Sequence, residues 1–137
     1  MTTNFLKSSV ALALMVLLLG LAGCADKTNA DNVDRRSVER WNFLIAHQGE
    51  KAYDYLTPGF RSTQDRETYA TAMNNRPLQW KSAKFKHKEC DGDRCKVDID
   101  VTYLLIMPGA MGKPVESTSV QSETWILVKG EWFFLPK

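Results

Sequence analysis

Ala83-Lys84-Phe85-Lys86-His87-Lys88-Glu89-Cys90-Asp91-Gly92-Asp93-Arg94-Cys95-Lys96-Val97-Asp98-Ile99-Asp100-Val101-Thr102-Tyr103 is the stretch that decides the fold. Ala83, Phe85 and His87 alternate with three lysines, and Val97, Ile99, Val101 and Tyr103 alternate with Lys96, Asp98, Asp100 and Thr102. A period of two means strands with one buried face. Asp91-Gly92-Asp93-Arg94 between them is turn chemistry, so the two runs form an antiparallel hairpin. Cys90 and Cys95 flank that turn and face each other, which predicts a disulfide that pins the register. In the chain-entropy account so small a loop stabilises by only about 2 kcal/mol. A metal or redox pair fits less well, because the spacing is not Cys-x-x-Cys and His87 alone leaves a metal short of ligands. No metal and no cofactor is therefore expected.

Downstream, residues 107 to 114 contain Pro108-Gly109 and Gly112 and predict a loop. Val115 to Val128 predicts a long strand, Lys129-Gly130 a turn and Glu131 to Leu135 a last strand. Upstream the period is helical. From Asn32 to Gln48, Val38, Trp41, Leu44 and Ile45 recur at helix spacing, with arginines and acids elsewhere; Asn32 or Asp31 caps the start and Gly49 suits the end. His47, in the last turn, would favour the helix dipole. A second short helix is predicted over residues 50 to 56, stopped by Thr57-Pro58-Gly59. Ser62 followed by Asp65 resembles a capping box that opens a third helix through Tyr69, Ala72 and Met73, ending near Asn74-Asn75 before Pro77. The class is α+β: three N-terminal helices packed on a curved antiparallel sheet.

The N-terminus carries a different signal. Lys7 is followed by an apolar run from Val10 to Ala22, and Leu21-Ala22-Gly23-Cys24 is similar to a bacterial lipobox. The expected division is a lipoprotein signal peptide at 1–23, a lipidated tether at 24–32 and one domain at 33–137. Two acyl chains on Cys24 give stable membrane anchoring. A linker of eight residues spans about 16 Å, which keeps the domain at its membrane. Ala25 rather than aspartate after the cysteine points to the outer membrane, facing the periplasm, and a disulfide fits that oxidising compartment. Removing Lys7 with the signal leaves 17 basic against 16 acidic residues. That balance argues against a nucleic-acid surface.

Trp41 in the first helix, Ala52-Tyr53-Asp54-Tyr55-Leu56-Thr57-Pro58 ahead of the third, and the closing Glu123-Thr124-Trp125 with Lys129-Gly130-Glu131-Trp132 give a resemblance. Over about residues 33 to 136 the chain resembles the nuclear-transport-factor-2-like (ketosteroid-isomerase-like) superfamily. The resemblance implies a cone in which a bent sheet wraps helices around a pocket. It implies no single activity, since the superfamily holds dehydratases, isomerases, transport adaptors and non-catalytic lipoprotein domains. Its enzymes place an acid, tyrosine or histidine inside the cone. Here the inward face of the central strand, Val97, Ile99, Val101 and Tyr103, carries no acid, and Asp98 and Asp100 fall on the other side.

No His-Glu-x-x-His, Gly-x-Ser-x-Gly or phosphate-binding glycine loop is present. The leading expectation is a non-enzymatic, membrane-anchored periplasmic lipoprotein that binds a small apolar ligand or an envelope partner protein. Trp41, Tyr55, Phe85, Tyr103 and Trp125 are its expected pocket residues. The alternative is a cofactor-free isomerase or dehydratase using His87, Tyr103 and Glu123, which requires His87 and Glu123 to face the cavity. Otherwise His87 lies at the hairpin mouth and Glu123 at a strand edge. Lys84, Lys86 and Lys88 form a stripe that either engages an anionic surface or protects a strand edge. Oligomeric state is not legible.

Overall fold

The computed structural model describes residues 32–106 and 113–137. The lipobox and Cys24, the signal peptide, all but the last residue of the tether and most of the 107–114 loop lie outside the described residues. The chain runs α1 (Val33–Ile45), α2 (Gly49–Ala52), a 3₁₀ turn (Tyr53–Tyr55), α3 (Pro58–Arg61), α4 (Arg66–Asn74), β1 (Gln79–Asp91), β2 (Arg94–Ile106), β3 (Pro114–Val128) and β4 (Glu131–Leu135). The four strands form one antiparallel sheet in the order β1-β2-β3-β4. Helix α1 lies across β1 and β2. Among the described residues no helix is long and apolar enough to cross a membrane.

The α+β class, the helix-first order and the hairpin stand as expected; the count of three helices does not. Thr57-Pro58-Gly59 does not simply stop a helix. The Thr57 side chain caps a new single turn with Pro58 in its first position, where the missing N–H costs nothing. The capping box on Ser62 is likewise corrected. Asp65 is itself the N-cap of α4, and its carboxylate accepts from Thr68 N at 2.9 Å and Thr68 Oγ1 at 2.7 Å. These bonds hold the Asp65 carboxyl below its usual range.

Gly49 belongs to the next helix, not to the end of α1. α1 closes at Ile45, and His47 follows in the left-handed region at φ 54°, with its ring nitrogen 3.2 Å from Asn74 O. It is thus a turn residue rather than a cation in the last helical turn. Gly49 is needed for closeness: a Cβ there would sit 2.8 Å from Ala70 Cα and 2.9 Å from Asn74 Oδ1. α2 and α4 meet at that point, tied by Gly49 N donating to Asn74 Oδ1 at 2.9 Å.

The hairpin is built as the alternation predicts on β2: Val97, Ile99 and Val101 are fully buried. Cys90 pairs with Cys95 across the turn and the disulfide is present. β1 departs from strict alternation. Register shifts at Trp80/Ser82 and Phe85/His87 insert Lys81 and Lys86 as extra residues, and such bulges bend a strand and deepen its twist. Beyond the second one the faces exchange. His87 pairs with Asp98 on the outer side, and Lys88 pairs with Val97 on the inner side.

The lysine stripe is therefore broken. Lys86 binds Asp100 at 3.1 Å on the outer face, while Lys88 reaches Asp34 of α1 at 3.0 Å. The core between sheet and helices comprises Val33, Trp41, Leu44, Leu56, Tyr69, the inner residues of β2, Trp125 and Trp132.

Candidate functional site

Helix α1 turns Ser37, Arg40, Trp41 and Leu44 toward the sheet, a spacing of 3, 4 and 7 residues that makes one helical face. Two of those four are polar, and all four are buried. What they meet is Glu123, opposite Val97 on the inner face of β3. Glu123 is 4% exposed. Its Oε1 accepts from Arg40 Nη2 and from Trp41 Nε1 at 2.8 Å. Its Oε2 accepts from Ser37 Oγ at 2.7 Å and from Trp125 Nε1 at 2.9 Å.

A carboxylate offers about four lone-pair positions, and here four donors fill them. Glu123 cannot take a proton from a substrate without surrendering a buried bond. The cluster joins helix to sheet, and removing one partner of such a buried pair costs about 3–5 kcal/mol. Arg40 is sandwiched as well: its guanidinium lies 4.0 Å from the Phe134 ring centroid and 5.4 Å from that of Trp41. Its Nε–H is buried without an acceptor, a state that costs about 1–3 kcal/mol.

Beside this cluster opens a cavity of about 400 Å³. Trp41, Leu44, Tyr69, Met73, Trp80 and Phe134 supply its apolar walls, and Arg40, Glu123, Arg76 and Gln121 its polar ones. The Trp41 and Trp80 rings meet edge to face at 5.4 Å. Burial pushes the Tyr69 hydroxyl up from its usual range, with Arg40 beside it pulling the other way. A second cavity of about 350 Å³ adjoins the first, sharing Trp41, Arg76, Trp80 and Gln121 and extending to Tyr103 and Leu105. This size falls within the range of small-molecule pockets.

The expected site residues separate. Trp41 lines both cavities and Tyr103 the second. Trp125 is fully buried behind the first and holds Glu123. Tyr55 sits elsewhere, in a groove with Arg36, Phe43 and Glu131. Phe85 shares a face with Ile99 but is 42% exposed, on the edge strand of the sheet. His87, Tyr103 and Glu123 do not converge: the bulge at Lys86 sends His87 to the exposed outer side, and Glu123 is deep in the sheet's interior rather than at an edge.

Arg40, Tyr69, Arg76, Trp80 and Phe134 are site residues that the sequence reading missed. The usable signal was Glu123 itself, an acid at an inward position two residues before Trp125. A buried carboxylate demands donors, and Ser37 and Arg40 fall on the same helix face as Trp41 and Leu44. Among the described residues no group of three or more His, Cys, Asp or Glu side chains is placed to hold a metal.

No family model matches the chain and no curated protein matches it. Solved structures do. A putative dehydratase from the NTF2-like family of Streptomyces avermitilis is 14% identical with TM-score 0.55, covering 80% of this chain and 97% of that one. A putative NTF2-like transpeptidase from Campylobacter jejuni is 13% identical with TM-score 0.52, covering 77% and 99%. A SEC-C motif containing protein from Psychrobacter arcticus is 12% identical with TM-score 0.60, covering 82% of this chain and 63% of that one. At these identities the likeness is one of fold, and that fold is nuclear-transport-factor-2-like.

Proposed function

We propose that this chain is a lipid-anchored protein of the bacterial envelope whose domain binds a small, largely apolar ligand without transforming it. One observation carries the binding reading: an aromatic-walled cavity lies over a carboxylate whose every acceptor position is already used. An acid–base enzyme needs a group free to exchange a proton with its substrate. His87, the other sequence candidate, is exposed on the far face of the sheet. The cavity keeps the apolar walls and the few fixed polar atoms of a binding site.

The anchor rests on Leu21-Ala22-Gly23-Cys24. Cys24→Ser should abolish acylation and leave an uncleaved precursor. Metabolic labelling with a palmitate analogue, followed by membrane fractionation, reads both steps and also tests the outer-membrane assignment. Normal labelling and maturation of that variant would contradict the anchor. The cavity is tested separately by adding small neutral aromatic amides to the mature chain and following its indole N–H resonances. Shifts at Trp41 and Trp80 are expected. If no such compound moves either signal, the ligand-binding reading fails and an envelope partner protein becomes the better account.

A further inference from the structure

The cavity's polar atoms say what kind of ligand end it takes. Three basic side chains, Arg40, Arg76 and Lys137, line it against one acidic side chain, Glu123, whose carboxylate is saturated. Arg40 is 4% exposed and lines the cavity, and its buried Nε–H lacks an acceptor. Buried donors are almost always paired, so a cavity-lining side chain with one N–H unsatisfied is poised toward an acceptor. Arg76 belongs to both cavities, its guanidinium 5.9 Å from the Trp80 ring centroid. Among the described residues no carboxylate forms an ion pair with it.

We infer that the ligand is an organic carboxylate with an apolar body. This rests on the cavity being a ligand site. The carboxylate accepts from Arg40 Nε–H and Arg76, and the apolar body lies along Trp41 and Trp80 toward Tyr103. An acceptor-only, planar group matches guanidinium donors in geometry as well as charge. A dianion is disfavoured, because Glu123 already offsets one of the cations and repels added negative charge. A neutral apolar molecule would leave the buried Nε–H unpaired, so the site discriminates against it.

The test compares 2-naphthoate with its neutral isostere 2-naphthamide on the full mature chain held in lipid nanodiscs, with empty nanodiscs as the blank. Both ligands should shift the indole N–H signals of Trp41 and Trp80. Naphthoate should bind about tenfold more tightly, the gain of one charge-assisted pairing. It should move the Arg40 Nε–H resonance further than naphthamide does, because the amide carbonyl is an uncharged and weaker acceptor. Arg76→Gln, at an exposed position that leaves the core intact, should erase most of that preference by weakening naphthoate more than naphthamide. Equal affinity for the two ligands, or an Arg40 signal that naphthoate leaves in place, overturns the inference and leaves the cavity reading standing. If neither ligand shifts Trp41 or Trp80, both fall together.

Discussion

The inner face of the sheet has two halves that solve the same problem in opposite ways. In one half α1 closes over Glu123 and Trp125, which are 4% and 0% exposed, and every carboxylate lone pair has a donor. In the other half the same face continues through Tyr103 to Leu105 and Val115, which remain 36% and 45% exposed. Trp80 and Trp41 stand between the two, where the cavities adjoin. Where an acid is buried, polar groups serve the structure, and the half without one keeps apolar surface open.

The sharpest way to break that contrast is to remove its centre. Glu123→Ala strands the buried Arg40 along with the indoles of Trp41 and Trp125, and should cost about 3–5 kcal/mol in urea unfolding. Pairing it with Arg40→Met should recover only part of the loss, because Ser37 and both indoles still lack their acceptor. Full recovery would mean that the ion pair alone matters.

Next in size is the disulfide, since Cys95 pairs with Trp125 and so braces the closed half. Replacing Cys90 and Cys95 with serine should cost about 2 kcal/mol. The expected mark is loosened hydrogen exchange around Trp125, with the Tyr103 end unchanged.

Acid should act on the helix that borders the cavity. The Asp54 carboxyl is held below its usual range, chiefly by its bonds to Arg66, and Asp65 by capping Thr68. A depressed carboxyl stabilises above its unfolded value, near 4, and that contribution is lost as pH falls through the folded value. Amide exchange in α4 should therefore quicken below about pH 4 before that of β2 does. The effect is modest, because Asp54 is half exposed. Smallest of all, Val115→Thr in the open half should change stability by no more than about 0.5 kcal/mol.

What the sequence made legible follows the same division. Apolar alternation on β2, the turn between the cysteines and the α+β order were all readable, because period and turn chemistry act locally. The bulge at Lys86 was not, since Phe85-Lys86-His87-Lys88 alternates without a break and only pairing with β2 reveals the extra residue. The helix count failed for a related reason. Thr57-Pro58 reads as a stop and equally as a start, and the turn it opens is only four residues long. The site was half legible: Trp41 and Tyr103 could be named from their faces. Arg40 was missed because charged side chains were assigned to solvent, whereas a buried acid 83 residues away holds this one inside.

The central claim is that Glu123 is locked beneath an open aromatic cavity, and indole hydrogen exchange tests it most directly. Trp41 and Trp125 donate to Glu123, so their N–H protons should exchange slowly, near the rate set by global unfolding. Trp80, at the wall shared by the two cavities, should exchange far faster and slow only when a ligand is added. Exchange of Trp41 and Trp125 as rapid as that of Trp80 would contradict the account, because a carboxylate so loosely held would be free for chemistry.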